Sequence, residues 1–78
     1  MTKVYRFYVS SMPLDEVEPF YKHIDGFSFL TEVKIDSQTN KMSYINAYFD
    51  REIDIKLLIS GFSNVTYTDV TGWDLLNQ

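Results

Sequence analysis

A single histidine, His23, is the residue of this chain best suited to acid–base chemistry, because an imidazole titrates near neutral pH. The nearest acidic residue in the sequence is Asp25, and one histidine with one carboxylate supplies too few ligands for a metal site. No serine has a nucleophile-elbow context. Gly26, Gly61 and Gly72 stand alone and do not form a phosphate-binding loop. The sequence therefore predicts no catalytic residue, no metal and no cofactor, so we expect a protein that is not an enzyme.

Carboxylates cluster at the starts of two predicted helices. Asp15, Glu16 and Glu18 begin the first helix, and Asp50 and Glu52 begin the second. Side-chain capping and the helix dipole both favour acidic residues at such places. The functional alternative is an acidic patch directed at a basic surface of a partner. On that alternative, Asp15, Glu16 and Glu18 are candidate partner-binding residues.

The elements that must position these side chains follow from hydrophobic periodicity. The pattern predicts a strand over 3–10, a helix over 11–26, a hairpin over 27–49 with its polar turn at 37–40, a helix over 51–60 and a strand over 63–70. Ser11 or Asp15 is expected to cap the first helix, and Asp50 the second. The main alternative for 51–60 is a strand, because alternate residues from 53 to 57 are apolar.

This order, β-α-β-β-α-β, resembles the ferredoxin-like split βαβ arrangement over nearly the whole of the 78-residue chain. The resemblance implies a single α+β domain over 1–78 with a four-stranded antiparallel sheet. It also implies the strand order 4-1-3-2, with both helices on one face of the sheet.

In that arrangement the helices cover one face of the sheet, on which we expect Tyr5, Phe7, Val9, Ile45, Ala47 and Phe49. The opposite face, termed the helix-free face, carries the candidate partner-binding residues Arg6, Tyr8, Tyr44, Asn46 and Tyr48, with Met42, Leu30, Glu32 and Lys34 near them. Tyrosine and arginine contribute disproportionately to protein interfaces. Cross-strand packing among the rings would also explain such a face. We expect it to bind another protein, or a second copy of this chain to give a homodimer.

Two further resemblances suggest other ligands. Size and element order are similar to those of ACT-like domains, which implies a homodimer that binds a small effector near residues 10–16, where Ser10 and Ser11 could hold it. The positions of Tyr8 and Tyr44 resemble the base-stacking positions of RNA-recognition motifs. In the third strand, MSYINAYF, Asn46 takes the place of the second ring of that family.

The charge balance and composition narrow the kinds of partner and the cellular location that we expect. Seven Lys and Arg against eleven Asp and Glu give a net charge of −4, which argues against nucleic-acid binding through phosphate neutralisation. The chain has no cysteine, signal-peptide pattern or apolar run long enough to span a bilayer, so we expect a cytoplasmic protein without a membrane partner.

The apolar tail, Trp73, Leu75 and Leu76, is expected to fold over the edge of the core or to anchor a partner. Together these features predict a small acidic protein-binding module, by analogy an inhibitor or adaptor of the kind that phages and mobile elements make.

Overall fold

Six elements follow one another in the computed structural model, which describes residues 1–75. They are strand β1 (Lys3–Tyr8), helix α1 (Leu14–Asp25), strands β2 (Leu30–Asp36) and β3 (Lys41–Phe49), helix α2 (Ile55–Leu58) and strand β4 (Thr66–Asp69). The strands form one antiparallel sheet in the order β2-β3-β1-β4. The protein therefore has an α+β fold with the predicted strand order, read here from the opposite edge.

The core lies between one face of this sheet and both helices. Alternation along β1 and β3 places Phe7, Ile45 and Phe49 on that face, each at most 1% exposed, as the period of two predicts. Residues of α1 and α2 join the same buried cluster, including Phe20 and Ile24 from α1 and Ile55 and Leu58 from α2. Both helices thus pack against the same side of the sheet.

Helix α1 begins later than the sequence indicates. Pro13 is its N-cap residue, and no side chain makes a capping hydrogen bond there, so neither Ser11 nor Asp15 is the cap. Pro13 has φ −53°, which is close to the value that its ring imposes and that suits the entry to a helix. The proline, rather than a hydroxyl or carboxylate, therefore fixes where the helix starts.

Helix α2 is much shorter than the predicted helix over 51–60. The cap is Asp54, whose side chain accepts a hydrogen bond from the Leu57 N–H at 3.2 Å. Asp50, the predicted cap, instead lies near Arg51 on the surface, with 3.5 Å between their charged groups. Ile53 packs against the core from the non-helical segment before the cap. One helical turn after Asp54 is then enough to bury Ile55 and Leu58, whereas Leu57 stays exposed.

The two aspartates provide a matched test of this boundary. Asp54→Ala is expected to lower the free energy of unfolding by about 0.5–2 kcal/mol, because it removes the acceptor for an N–H of the first turn. Asp50→Ala should change it by less than about 0.5 kcal/mol, as is typical of exposed ion pairs. Urea denaturation followed by circular dichroism measures both. A larger loss for Asp50→Ala than for Asp54→Ala would show that the helix starts at the earlier aspartate.

The hairpin between β2 and β3 contains an irregularity that redirects one side chain. Lys34 lies opposite Tyr44, whereas the next residue, Ile35, lies opposite Met42, so the pairing skips Ser43. An extra residue of this kind reverses the facing of the residues beyond it. Met42 consequently packs against the core cluster, and its predicted place on the helix-free face is wrong.

The segment after β4 returns to the helix-free face. The Thr71 hydroxyl oxygen accepts a hydrogen bond from the Val4 N–H at 2.9 Å, and the Trp73 N–H donates to the Val70 carbonyl at 3.0 Å. Residues 72–75 line a cleft of about 290 Å³ together with side chains of the helix-free face, which include Val4, Tyr48 and Val70. Trp73, half-exposed, thus borders this face rather than the core edge, and Leu76 lies outside the described residues.

Candidate functional site

Cross-strand pairs organise the helix-free face into rows. Arg6 of β1 lies opposite Asn46 of β3, and Tyr8 lies opposite Tyr44. Tyr48 is paired with Val4 at the end of the face that residues 72–75 approach. The structure therefore brings the five predicted side chains of this face onto two neighbouring strands.

Arg6 and Asn46 are buried, contrary to the expectation that the helix-free face leaves them uncovered. Each is 7% exposed. The Arg6 Nε–H donates a hydrogen bond to Asn46 Oδ1 at 2.9 Å, and the guanidinium carbon lies 4.0 Å from the centre of the Tyr44 ring. Because β1 and β3 are the inner strands, each of these side chains has a neighbouring strand on both sides: Arg6 lies opposite Asn46 and Thr68, and Asn46 lies opposite Arg6 and Glu32. Neither residue is a freely exposed contact.

The Arg6 guanidinium is only partly satisfied. Its Nη2 is buried and has no hydrogen-bond acceptor among residues 1–75. A buried donor without an acceptor costs about 1–3 kcal/mol, and more when it carries charge. Stacking on the Tyr44 ring recovers part of that cost. Since buried polar groups are nearly always paired in proteins, this donor is the most unusual feature of the face.

Beside Arg6, one end of the helix-free face remains accessible. Tyr8 is 36% exposed, and its ring meets the half-buried Tyr44 ring edge to face, with 6.2 Å between ring centres. Lys34 extends the same row on β2 and is exposed. We call the set of Tyr8, Tyr44, Lys34 and Arg6 the Tyr8–Tyr44 surface.

Tyr48, in contrast, makes a hydrogen bond within the sheet. Its hydroxyl donates to Glu32 Oε1 at 2.7 Å, and this hydrogen bond, with some burial, raises the pKa of Tyr48 above its ordinary value. Because the pKa of Tyr48 is raised in the folded state, the hydrogen bond stabilises the fold at lower pH. This contribution is lost as the pH rises through the folded-state pKa of Tyr48. Tyr48 also borders the cleft formed by residues 72–75. Its hydrogen bond joins β3 to β2, so Tyr48 has a structural role and does not belong to the Tyr8–Tyr44 surface.

The acidic candidates lie on α1, on the other side of the sheet, so the structure does not join them to the tyrosines. Glu16 is half-buried, and its Oε1 accepts a hydrogen bond from the Ser63 N–H at 2.9 Å, which ties the helix to the segment after α2. Glu18 pairs with Lys22 on the helix surface at 3.0 Å. Asp15 is exposed. Only part of the proposed acidic patch is therefore available to a partner.

His23 also has a structural contact that its position in the sequence does not reveal. Its Nε2 lies 2.8 Å from the Leu58 carbonyl oxygen. A carbonyl only accepts, so Nε2 carries the proton and donates. The His23 ring meets the Phe27 ring edge to face, with 5.2 Å between ring centres, and the Phe62 ring at a tilt, with 5.4 Å between centres. His23 therefore connects α1 to α2 instead of projecting into solvent.

A cleft of about 500 Å³ lies at residues 10–16, where the resemblance to ACT-like domains implies a small effector, but its apolar wall was not predicted. It lies between the segment after β1, the start of α1 and the turn between β2 and β3. Apolar side chains form much of its wall, among them Met12, Leu14 and Met42, and Ser10 is at its border. Ser11 does not line it. The signal that could have indicated it is Met12, an apolar residue in a connecting segment that is nevertheless buried.

No protein-family model, curated protein or solved structure matches the chain. Among residues 1–75, no helix has the length and apolar character needed to cross a bilayer. The same residues contain no group of three or more acidic or histidine side chains that could hold a metal ion. The functional proposal therefore rests on the contacts and exposure of the chain's own residues.

Proposed function

We propose that this chain is a non-catalytic protein-binding module and that the Tyr8–Tyr44 surface makes the contact. The observation that carries the proposal is the buried Arg6 Nη2, which has no acceptor among residues 1–75. A partner that supplies a carboxylate or a backbone carbonyl would complete the hydrogen bonding of this guanidinium. Desolvated arginine and tyrosine side chains are the residue types that dominate the binding energy of protein interfaces.

The chemistry of the surface also describes its partner. Arg6 and Lys34 are positive, and Tyr8 offers an accessible ring with a polar hydroxyl. We therefore propose a partner surface that is acidic at its centre and apolar beside it, although the chain as a whole is acidic. Because Nη2 is not reached by solvent, binding includes a rotation of the Tyr44 ring that packs on the guanidinium.

We assign this surface to a ferredoxin-like scaffold, which the element order and the strand order β2-β3-β1-β4 support. A small module of this kind acts by occupying a partner's surface. We propose that it does so in the cytoplasm as an inhibitor or adaptor, in the manner of proteins that phages and mobile elements make. This role is an analogy with other small acidic binding proteins.

Photo-crosslinking tests the surface directly. A photoreactive amino acid at position 8 should crosslink a protein from the native host, whereas the same amino acid at position 56, on α2, should not. For the isolated partner, Tyr8→Ala is expected to raise Kd at least about tenfold. Leu57→Ala, at an exposed apolar position on α2, is the control and should leave Kd unchanged. Equal affinities for the two variants would reject the Tyr8–Tyr44 surface.

The 500 Å³ cleft favours a second candidate, an ACT-like regulatory domain that binds a small effector. The cleft lies at the segment after β1, where the resemblance to ACT-like domains implies the ligand. A saturable rise in Tm with a free amino acid would support this candidate. Tight binding of single-stranded RNA that weakens steeply with salt would instead favour the RNA-recognition resemblance.

A further inference from the structure

Strand β2 is an edge of the sheet and is exposed along almost its whole length. Six of its seven residues are exposed, and Thr31 is half-buried. Helix α1 reaches the strand at Thr31, whose hydroxyl donates to Asp25 Oδ1 at 2.8 Å. The opposite edge, β4, has only four residues. An edge strand presents backbone groups without partners in its own sheet, and it is therefore a template for another strand.

Of the features that usually protect an edge strand, β2 carries charged side chains but little else. The strand contains no proline, and the extra residue in its pairing with β3 is Ser43, so β2 itself stays regular. Leu30, Val33 and Ile35 are exposed apolar side chains on the strand. Its charges are Glu32 and Lys34 in the middle and Asp36 at the end. A strand that pairs with β2 must place opposite charges beside Glu32 and Lys34.

We infer that β2 pairs in antiparallel fashion with β2 of a second copy of this chain, about a two-fold axis at Val33. In this register Val33 lies opposite Val33 of the second copy. Glu32 then lies opposite Lys34 of the second copy, and the two-fold axis repeats the same pair on the other side. Thr31 lies opposite Ile35. Opposite charges that face each other across a strand pair contribute about 0.2–1 kcal/mol each.

The neighbouring registers are disfavoured by the same charges. Centring the axis on Glu32 puts two carboxylates directly opposite each other, and centring it on Lys34 does the same with two ammonium groups. Like charges directly opposite are destabilising. The register at Val33 also uses all seven residues of the strand. The sequence of β2 is thus complementary to itself in one alignment.

Pairing about this axis extends the sheet from four strands to eight. Val33 lies opposite the buried Ile45 in its own sheet, so the two copies of Val33 meet on the side that carries the helices and form an apolar contact. The strand edge is a small area, which indicates a dissociation constant in the micromolar range, about 1–100 µM. Lys34 belongs to both surfaces, but the pairing of β2 with itself needs no contact to Tyr8, Tyr44 or Arg6, so it does not depend on the proposed partner of the Tyr8–Tyr44 surface.

Charge exchange tests both the dimer and its register. Light scattering during size-exclusion chromatography, over loading concentrations from about 1 to 500 µM, should show the wild-type chain passing from monomer to dimer. Lys34→Glu alone and Glu32→Lys alone should each remain monomeric, because each variant places like charges opposite one another. An equimolar mixture of the two variants should dimerise again, because every charge then meets its opposite.

Lys56→Glu is the matched control, since it makes the same change in charge on exposed α2 and should dimerise like the wild type. Circular dichroism establishes that each variant is folded. A wild-type chain that stays monomeric throughout the range would overturn the inference. So would dimerisation of Lys34→Glu at wild-type concentrations, or a mixture that stays monomeric.

Discussion

Replacing Phe20 by alanine is expected to remove about 3–5 kcal/mol from the free energy of unfolding, the usual cost of truncating a buried phenylalanine. Phe20 is fully buried on α1. Its ring meets Phe7 of β1 and Phe62 after α2 edge to face, with centres 5.7 and 5.0 Å away. This one side chain joins the sheet, the long helix and the segment that follows α2. A chain of this length has a total stability of roughly 4–12 kcal/mol, so the variant is expected to be near its unfolding threshold.

Phe29→Ala is the control for this prediction. Phe29 is 58% exposed just before β2, and its truncation should cost less than about 1 kcal/mol. Urea denaturation followed by circular dichroism and tyrosine fluorescence measures both variants under the same conditions. Similar losses for Phe20 and Phe29 would mean that the core is not centred where the burial places it.

Asn46→Ala is expected to cost about 2–4 kcal/mol, because it removes the hydrogen bond that Asn46 accepts from the buried Arg6 guanidinium. The double variant Arg6→Met with Asn46→Leu removes both polar groups and replaces them with apolar side chains that fill similar space. We expect it to be at least as stable as the wild type, since buried polar pairs often contribute little net stability. The same double variant should lose affinity for the partner of the Tyr8–Tyr44 surface at least about tenfold.

These two outcomes separate a structural role from a binding role. A double variant that is stable but does not bind would show that Arg6 is retained for contact with a partner. If the double variant were as unstable as Asn46→Ala, the pair would be a structural element and the Tyr8–Tyr44 surface would lose its main support. A double variant that binds with full affinity would exclude Arg6 from the interface. Denaturation and titration calorimetry on the same preparations distinguish the three results.

The sheet and its buried face could be predicted because they depend on local alternation. Phe7 and Ile45 are flanked by polar or charged neighbours, and a period of two fixes which face they share. The facing of Met42 could not be predicted, since it depends on the skipped Ser43 and hence on the register between two strands. The predicted start of α2 at Asp50 was wrong, because Asp54 can also cap a helix and the packing of Ile53 against the core ahead of the first turn is not visible in the sequence.

For the candidate site, the sequence predicted which residues share a face but not which of them meet solvent. Tyr8 and Tyr48 have the same alternation pattern, yet Tyr8 is exposed and Tyr48 is hydrogen-bonded to Glu32. Tyr48 lies next to Glu32 of β2 and borders the cleft that residues 72–75 line, whereas Tyr8 lies towards the other end of the face. The burial of Arg6 likewise depends on the side chains around it, which include Asn46 and Tyr44. Such enclosure is a tertiary property that no periodicity encodes.

The position of β1 has a consequence for how the chain matures on the ribosome. Strand β1 is synthesised before the other five described elements, yet it lies between β3 and β4 and bonds to both. Its Val4 N–H finds its acceptor in Thr71, 67 residues further on. Contacts of such long sequence separation slow folding. The nascent strand, with Phe7 exposed, therefore cannot pair until the later residues are synthesised. During this interval its apolar surface can bind chaperones or associate wrongly with other chains.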